Sequence, residues 1–286
     1  MEKRISKVNK GNINFFNQTE DFEKIIKKHI HCFDKMSQIK TGWTNFVFQV
    51  FKKDKIYIFR FPRNEFFANA LIKECEFCSF VKDKISFQTP NLKLFFEGER
   101  PYSFHEAIAG ECLSDCYHDL SLNEKFELAN DISKLLIEFS QIDFHKYDKM
   151  HFQKVSNFLD ELSKVSGNGY DLKEHDFLKQ MEEKQMTISH GDLNPGNLIL
   201  NCHKLYAVID FAFSGISSPI VDISRMTGRT PNEFSEMLIS AYEHKTRQKV
   251  DMTSLEKLES TWKYVEDKYI LYIKQNHPSI VLPDLV

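Results

Sequence analysis

The 286-residue chain contains no run of about 18 apolar residues, the length a membrane-spanning helix needs, so membrane insertion is not expected. An excess of one charge is also missing: 38 Lys and Arg stand against 41 Asp and Glu, a formal net charge of -3. The basic residues are spread among acidic ones, as on solvated faces, whereas binding nucleic acid through its phosphates calls for clustered Lys and Arg. No nucleic-acid partner is expected. Met1 to Gln18 is polar and lacks an apolar segment, so no secretory leader is expected and a cytoplasmic location follows. Among the six cysteines, Cys75 and Cys78 form a CxxC and Cys112 and Cys116 a looser pair, without a clear four-ligand zinc pattern. Cys75 and Cys78 stand at helical spacing beside Leu71, Ile72 and Val81, where a free thiol behaves as a small buried hydrophobe. Internal repeats and low-complexity linkers are absent as well.

What is present is length enough for one large domain or two lobes with cores of their own, and one informative stretch. HGDLNPGN, His190 to Asn197, is answered by VIDF, Val208 to Phe211. Between them, Leu198 to Leu200 and Leu205 to Ile209 are apolar, β-prone runs joined by the polar connector Asn201-Cys202-His203-Lys204, the pattern of a hairpin. Closing that hairpin lets Asp192, Asn197 and Asp210 converge. One carboxylate to receive a proton and two oxygen ligands for a metal are what Mg-nucleotide phosphoryl transfer requires. Asp192 precedes Asn197 by five positions, the separation of the base from the metal-binding Asn in the protein-kinase catalytic loop. Asp210-Phe211 would then supply the second metal ligand. Any one of these residues alone is ordinary turn chemistry; the set in register is specific.

HGDLNPGNLIL followed by AVIDFAFSGISSPIVDI closely resembles the signature of the aminoglycoside phosphotransferase and choline kinase family, with His190, Asp192, Asn197, Asp210, Gly215, Pro219 and Asp222 in order. The resemblance implies an α+β, protein-kinase-like bilobal fold. Residues 1–108 would form an amino-terminal nucleotide-binding lobe, a small antiparallel sheet with one long helix over about 69–84. Residues 109–286 would form a mainly helical lobe carrying the catalytic hairpin, 190–211, and the acceptor site. It also implies a small-molecule kinase that uses Mg2+ and ATP or GTP, with Asp192 as base and Asn197 and Asp210 on the metal. His190 and Asp222 would brace the catalytic loop. Ser217 and Ser218 replace the Gly-Asp commonly found before Pro219.

The first part of the chain fits that plan. A helix is expected over 19–30, capped by Thr19, and strands over about 33–39, 46–51, 55–61, 92–96 and 102–108. The loop Lys40 to Asn45 contains GWTN, which looks like the phosphate-covering loop of choline kinase-like proteins, with Gly42, Thr44 and Asn45 as contacts. Arg60 stands where many kinases carry a phosphate-binding Lys; it keeps its charge and can contact phosphate bidentately. Glu74 aligns by order with the helix Glu that pairs with that residue. The hinge is expected at Ala109-Gly110-Glu111, with the base against backbone from Glu106 to Ile108.

The remainder reads as helices. Ser121 and Glu124 form a capping box before the stripe Leu128, Ile132, Leu135, Leu136 and Phe139. Helices follow over about 152–165 and 172–186, and Thr230-Pro231-Asn232-Glu233 reads as a second capping box before a helix to about Arg247. The last helix, about 254–274, turns Leu255, Leu258, Trp262, Val265, Tyr269 and Tyr272 or Ile273 inward. In the resembling family a cationic acceptor meets carboxylates and aromatic faces, so Trp262, Tyr264, Glu266, Asp267 and Tyr269 are its candidates, beside the plainer reading of core and solvated face. The acceptor would be a small cationic or sugar-like alcohol. A choline or ethanolamine kinase-like enzyme is one alternative. A nucleotide-binding pseudokinase, prompted by Arg60, is another, and a metal-dependent phosphoesterase lacks its expected His-rich motifs. A monomer or weak dimer is expected.

Overall fold

The computed structural model describes residues 15–17, 20–40, 44–144, 154–165 and 173–276. A short helix, α1 (Phe22–Lys27), precedes three strands, β1 (Lys35–Ile39), β2 (Asn45–Lys52) and β3 (Lys55–Pro62). The helix α2 (Glu65–Val81) follows, then β4 (Lys93–Glu97) and β5 (Arg100–Glu106). The strands make one antiparallel sheet in the order β1-β2-β3-β5-β4. Period-two alternation gives the sheet two different faces. Phe46, Phe48, Val50, Phe59, Phe61, Tyr102 and Phe104 pack with Phe22, Ile25 and Ile26 of α1 in one aromatic-rich core. Arg60 pairs with Ser103 and Ile58 with His105, one residue out of step with the Phe59–Phe104 pair, so these side chains share the opposite face.

Two boundaries differ from the sequence expectation because of caps. Asp21, not Thr19, caps α1, its carboxylate accepting from the Lys24 amide at 3.0 Å; Thr19 lies outside the described residues. Helix α2 starts at Glu65 rather than near Asn69, because Asn64 accepts from the Phe67 amide at 3.0 Å and satisfies a first-turn donor. The earlier start makes room for Phe67 in the buried face. Cys75 and Cys78 are buried on α2, and burial pushes the Cys75 thiol up to about 12.

After β6 (Glu111–Cys112) and the short α3 (Leu113–Cys116) come the helices α4 (Leu122–Gln141), α5 (Val155–Val165) and α6 (Lys173–Lys184). The capping box of α4 forms as expected, and Leu128, Ile132, Leu135, Leu136 and Phe139 are all buried. The strands β7 (Thr187–Ser189), β8 (Leu198–Asn201), β9 (Lys204–Val208) and β10 (Gly215–Ser217) are followed by α7 (Pro219–Thr227), α8 (Asn232–Thr246) and α9 (Met252–Asn276). β8 and β9 form the expected hairpin, extended by β6, while β7 pairs with β10. Gly110 sits against this sheet with φ +145, and a Cβ there would lie 2.3 Å from the Leu200 carbonyl oxygen. A side chain at the expected hinge is therefore excluded by backbone.

The core around α4 runs on into Phe77, Cys78, Phe80 and Val81 of α2, so that helix belongs to both halves of the molecule. Ser217 has a definite role: with the Ser156 amide and hydroxyl it donates to the buried Glu182 carboxylate, at 3.1, 3.0 and 2.5 Å, joining β10, α5 and α6. The second capping box does not form. The Thr230 hydroxyl instead donates back to the Met226 carbonyl at 3.0 Å, and Pro231 stands at the start of α8 without a side-chain cap.

Candidate active site

The turn from β7 into the hairpin is set by backbone chemistry. Gly191 adopts φ +77, and a Cβ there would meet the Phe213 carbonyl oxygen at 2.1 Å, so the position needs glycine. Asp222, buried at the start of α7, accepts from the His190 amide at 2.9 Å and the Gly191 amide at 2.8 Å. Burial pushes the Asp222 carboxyl up, against the pull of His190 and these amides. The His190 ring spans the loop: Nε2 meets the Ile209 carbonyl oxygen at 2.9 Å, and Nδ1 accepts from the Asp192 amide at 3.3 Å. Donation to Ile209 places the proton on Nε2, the tautomer of a bracing residue. Phe211 packs in tilted contacts on His190 and Phe77, with ring centroids 4.5 and 5.4 Å away.

The hairpin ends meet. The Ile209 amide donates to the Asn197 carbonyl at 3.0 Å. Asn197 Nδ2 donates to the Asp192 carbonyl at 2.8 Å and approaches Asp192 Oδ2 at 3.4 Å, leaving its Oδ1 with acceptor capacity to spare. Asn194 helps by taking the Gly196 amide at 2.9 Å and donating to the Asp192 carbonyl at 2.9 Å. Asp210 adopts φ 62, a conformation Asp tolerates better than most residues, and its side chain is 49% exposed. Its Oδ1 accepts from Arg60 Nη2 at 3.3 Å, while Arg60 Nη1 donates to Glu74 Oε1 at 2.6 Å. Burial pushes the Glu74 carboxyl up, opposed by Arg60, and the carboxylates hold Arg60 charged against its own burial.

Around Arg60 the sheet carries buried polar atoms that have no partner among the described residues: Ser103 Oγ and His105 Nδ1 on its own face, and Asn45 Oδ1 at the mouth of the preceding loop. Asn45 Nδ2 is held by the Thr44 hydroxyl at 2.7 Å. Gly42 lies outside the described residues. Glu106 is exposed at the end of β5 with its carboxylate on Lys55 at 2.8 Å, so its side chain is spoken for, and Ile108 is half-buried just beyond.

The other side of Asp192 holds residues that the sequence did not single out. Arg225 of α7, 7% exposed, donates from Nε to Asp192 Oδ1 at 3.1 Å and from Nη2 to the same oxygen, and its Nη1 donates to Glu266 of α9. Arg229 donates to that same Glu266 oxygen. The Trp262 ring lies 4.7 Å from the Arg225 guanidinium, and its Nε1 donates to Ser224 Oγ at 3.1 Å. Burial alone would raise the Asp192 carboxyl, but Arg225, with smaller help from Arg229 and His190, outweighs it and holds the carboxyl below its ordinary value. Of the acceptor candidates, Trp262 is buried and covered, Glu266 is taken by two arginines, Asp267 is exposed, and Tyr264 is half-buried with Lys268 5.5 Å from its ring. The Tyr269 side chain lies outside what is described. One signal could have found Arg225: it follows Asp222 by three residues on a helix, hence on the same face.

An antiparallel sheet with a buried Arg–Glu pair, set against a helical part whose hairpin presents Asp, Asn and Asp, defines a kinase-like small-molecule phosphotransferase. The chain belongs to the phosphotransferase enzyme family, whose model matches residues 35–258. Its fold is similar to that of the GDP and kanamycin complex of APH(2")-IIia, with TM-score 0.69 at 18% identity over 91% of this chain and 94% of the other. The streptomycin-ATP-APH(2")-IIa ternary complex gives 0.63 at 18% identity over 88% and 91%. Macrolide 2'-phosphotransferase MphH from Brachybacterium faecium gives 0.61 at 11% identity over 93% and 99%. No curated protein sequence matches the chain.

Proposed function

We propose that this kinase transfers the γ-phosphoryl group of ATP or GTP to a hydroxyl of a small acceptor, with residues 1–108 and 109–286 as its two lobes. The observation that carries the assignment of residues is the closed hairpin: Asn197 bonded to Asp192, Ile209 bonded to Asn197, and Asp210 next to it in contact with Arg60. With Oδ1 fixed by Arg225, Asp192 Oδ2 is the oxygen left to orient the acceptor hydroxyl. A carboxylate kept ionised by an arginine is a weak base. That suffices where the bond to the leaving group is largely broken before the acceptor loses its proton. The acceptor oxygen forms the new P–O bond as the bond to the nucleoside diphosphate breaks, and its proton passes to Asp192.

Arg60 offers charge and paired N–H donors to phosphate oxygens. Asn197 Oδ1 and the half-exposed Asp210 carboxylate form a hard-oxygen donor set that suits Mg2+, which when bound neutralises charge on the phosphates. The polar atoms of Asn45, Ser103 and His105 fit a nucleotide on the same face of the sheet. The fold similarity to nucleotide complexes supports this use of the cleft. A cytoplasmic location suits an enzyme that consumes nucleoside triphosphate. The pseudokinase reading keeps one observation of its own, the ion pair that neutralises the base. Acceptor-dependent release of nucleoside diphosphate from Mg-ATP or Mg-GTP, abolished in Asp192→Asn, is the expected result. Tight nucleotide binding without transfer to any acceptor would leave the pseudokinase.

A further inference from the structure

The carboxylate of α9 that approaches the base is shared. Glu266 accepts from both Arg225 and Arg229, so two guanidinium groups converge on one acid beside Asp192. Trp262, the large aromatic of that region, is buried and already covered by Arg225. A polycationic acceptor needs unpaired carboxylates or open aromatic faces, and the clamp supplies neither.

The two arginines are not equivalent. Arg225 spends its donors on Asp192 and Glu266, and its side chain is 8% exposed. Among the described residues Arg229 makes a single side-chain hydrogen bond, to Glu266, and it is 32% exposed. It thus keeps most of the planar donor fork that matches carboxylate and phosphate oxygens. It is joined to Asp192 through Glu266 and Arg225, close enough for its charge to be felt there. Within the clamp the charges of Arg225 and Arg229 balance those of Asp192 and Glu266, and Arg229 is the more exposed of the two cations, so its remaining donors are the ones an anionic group can meet.

We propose that the acceptor alcohol carries an anionic group, a carboxylate or a phosphate, a few bonds from the reacting hydroxyl, and that Arg229 receives it while Arg225 stays on the base. This rests on the phosphotransfer reading of Asp192, and its test separates the two. The full-length enzyme with Mg-ATP and Mg-GTP is offered small hydroxy acids in one arm and sugar and polyol monophosphates in another. Each is paired with its uncharged counterpart, and kanamycin and choline serve as cationic comparisons. Nucleoside diphosphate release is read for the wild type, Arg229→Gln and Arg229→Lys. The same compounds are titrated by calorimetry into Asp192→Asn and into Asp192→Asn combined with Arg229→Gln, with Mg-ATP present.

The expected result is a preference for one anionic arm, the responding arm telling carboxylate from phosphate. Losing a charge-assisted contact should reduce that preference about tenfold or more in Arg229→Gln, with part of it regained in Arg229→Lys. Preference for the uncharged or cationic compounds, or an anionic preference unchanged in Arg229→Gln, overturns the proposal and leaves the kinase standing. Arg229-dependent binding of the anionic compounds without transfer overturns the phosphotransfer reading and keeps the recognition site. Neither transfer nor Arg229-dependent binding of any compound overturns both.

Discussion

The two sides of the catalytic hairpin satisfy their polar atoms to different degrees. On the side of α7 and α9, Asp192, Arg225, Glu266 and Arg229 are tied in one chain of ion pairs, and Trp262 is bonded to Ser224. On the side of the sheet, Arg60 has its Glu74, but Asp210 is half-exposed, its Oδ1 3.3 Å from Arg60. Asn45, Ser103 and His105 each keep a buried polar atom without a partner among the described residues. Buried polar groups are costly to leave unbonded, so the sheet side is shaped for a polar ligand. The α7–α9 side is organised in advance around Asp192. Positioning of this kind is what a phosphotransferase chiefly contributes to rate.

Breaking the base separates the two sides most sharply. Asp192→Asn should lower turnover by about 10² to 10⁴, while the sheet side, untouched, still binds Mg-nucleotide; coupled-enzyme rates and calorimetry check the two halves. Asp210→Ala acts on the other side. It should weaken Mg-dependent nucleotide binding by about 10² or more, the several kcal/mol a metal ligand contributes. Binding unchanged with and without Mg2+ would remove Asp210 from the metal site.

Stability offers the next contrast. Arg225→Met leaves Asp192 and Glu266 facing one another without their shared cation, and should destabilise the fold by about 3 to 5 kcal/mol, as broken buried pairs do. Glu74→Gln removes one of two carboxylates on Arg60 and leaves Asp210 to hold the guanidinium. Its cost in denaturant unfolding should be the smaller of the two. Equal losses would mean that the two sides are not organised differently.

The hairpin was legible because its chemistry is local. Asp192, Asn197 and Asp210 are fixed relative to one another by a short loop, two runs of β-prone residues and a tight turn, all visible as spacing. The clamp was not, because Arg225 of α7 joins Asp192, 33 positions back in the loop after β7, to Glu266, 41 positions on in α9. The start of α2 is hidden in the sequence because Phe66 and Phe67 are β-prone residues following a strand, and the Asn64 cap overrides that preference. Trp262 and Glu266 were placed on the right helix, yet their partners decide what they do. The Arg225 guanidinium against the Trp262 ring makes that aromatic part of the packing behind Asp192.

The smallest expected effect is a pH dependence confined to the sheet side. Burial first, and Arg60 second, hold the His105 imidazole down to about 4 from an ordinary 6.5. Between those values the unfolded chain takes up a proton that the folded protein refuses, so stability falls as pH drops through this window and this group adds no further loss below it. Glu182 and Asp222, whose carboxyls burial pushes up, contribute a slope of opposite sign in acid, so the difference between proteins is the quantity to read. His105→Gln removes the titrating ring while keeping a polar side chain on the Arg60 face. Denaturant midpoints across the window should then decline less steeply with acid in the variant than in the wild type. Parallel curves would mean that His105 accepts its proton in the folded state, and that burial and the neighbouring Arg60 do not govern it.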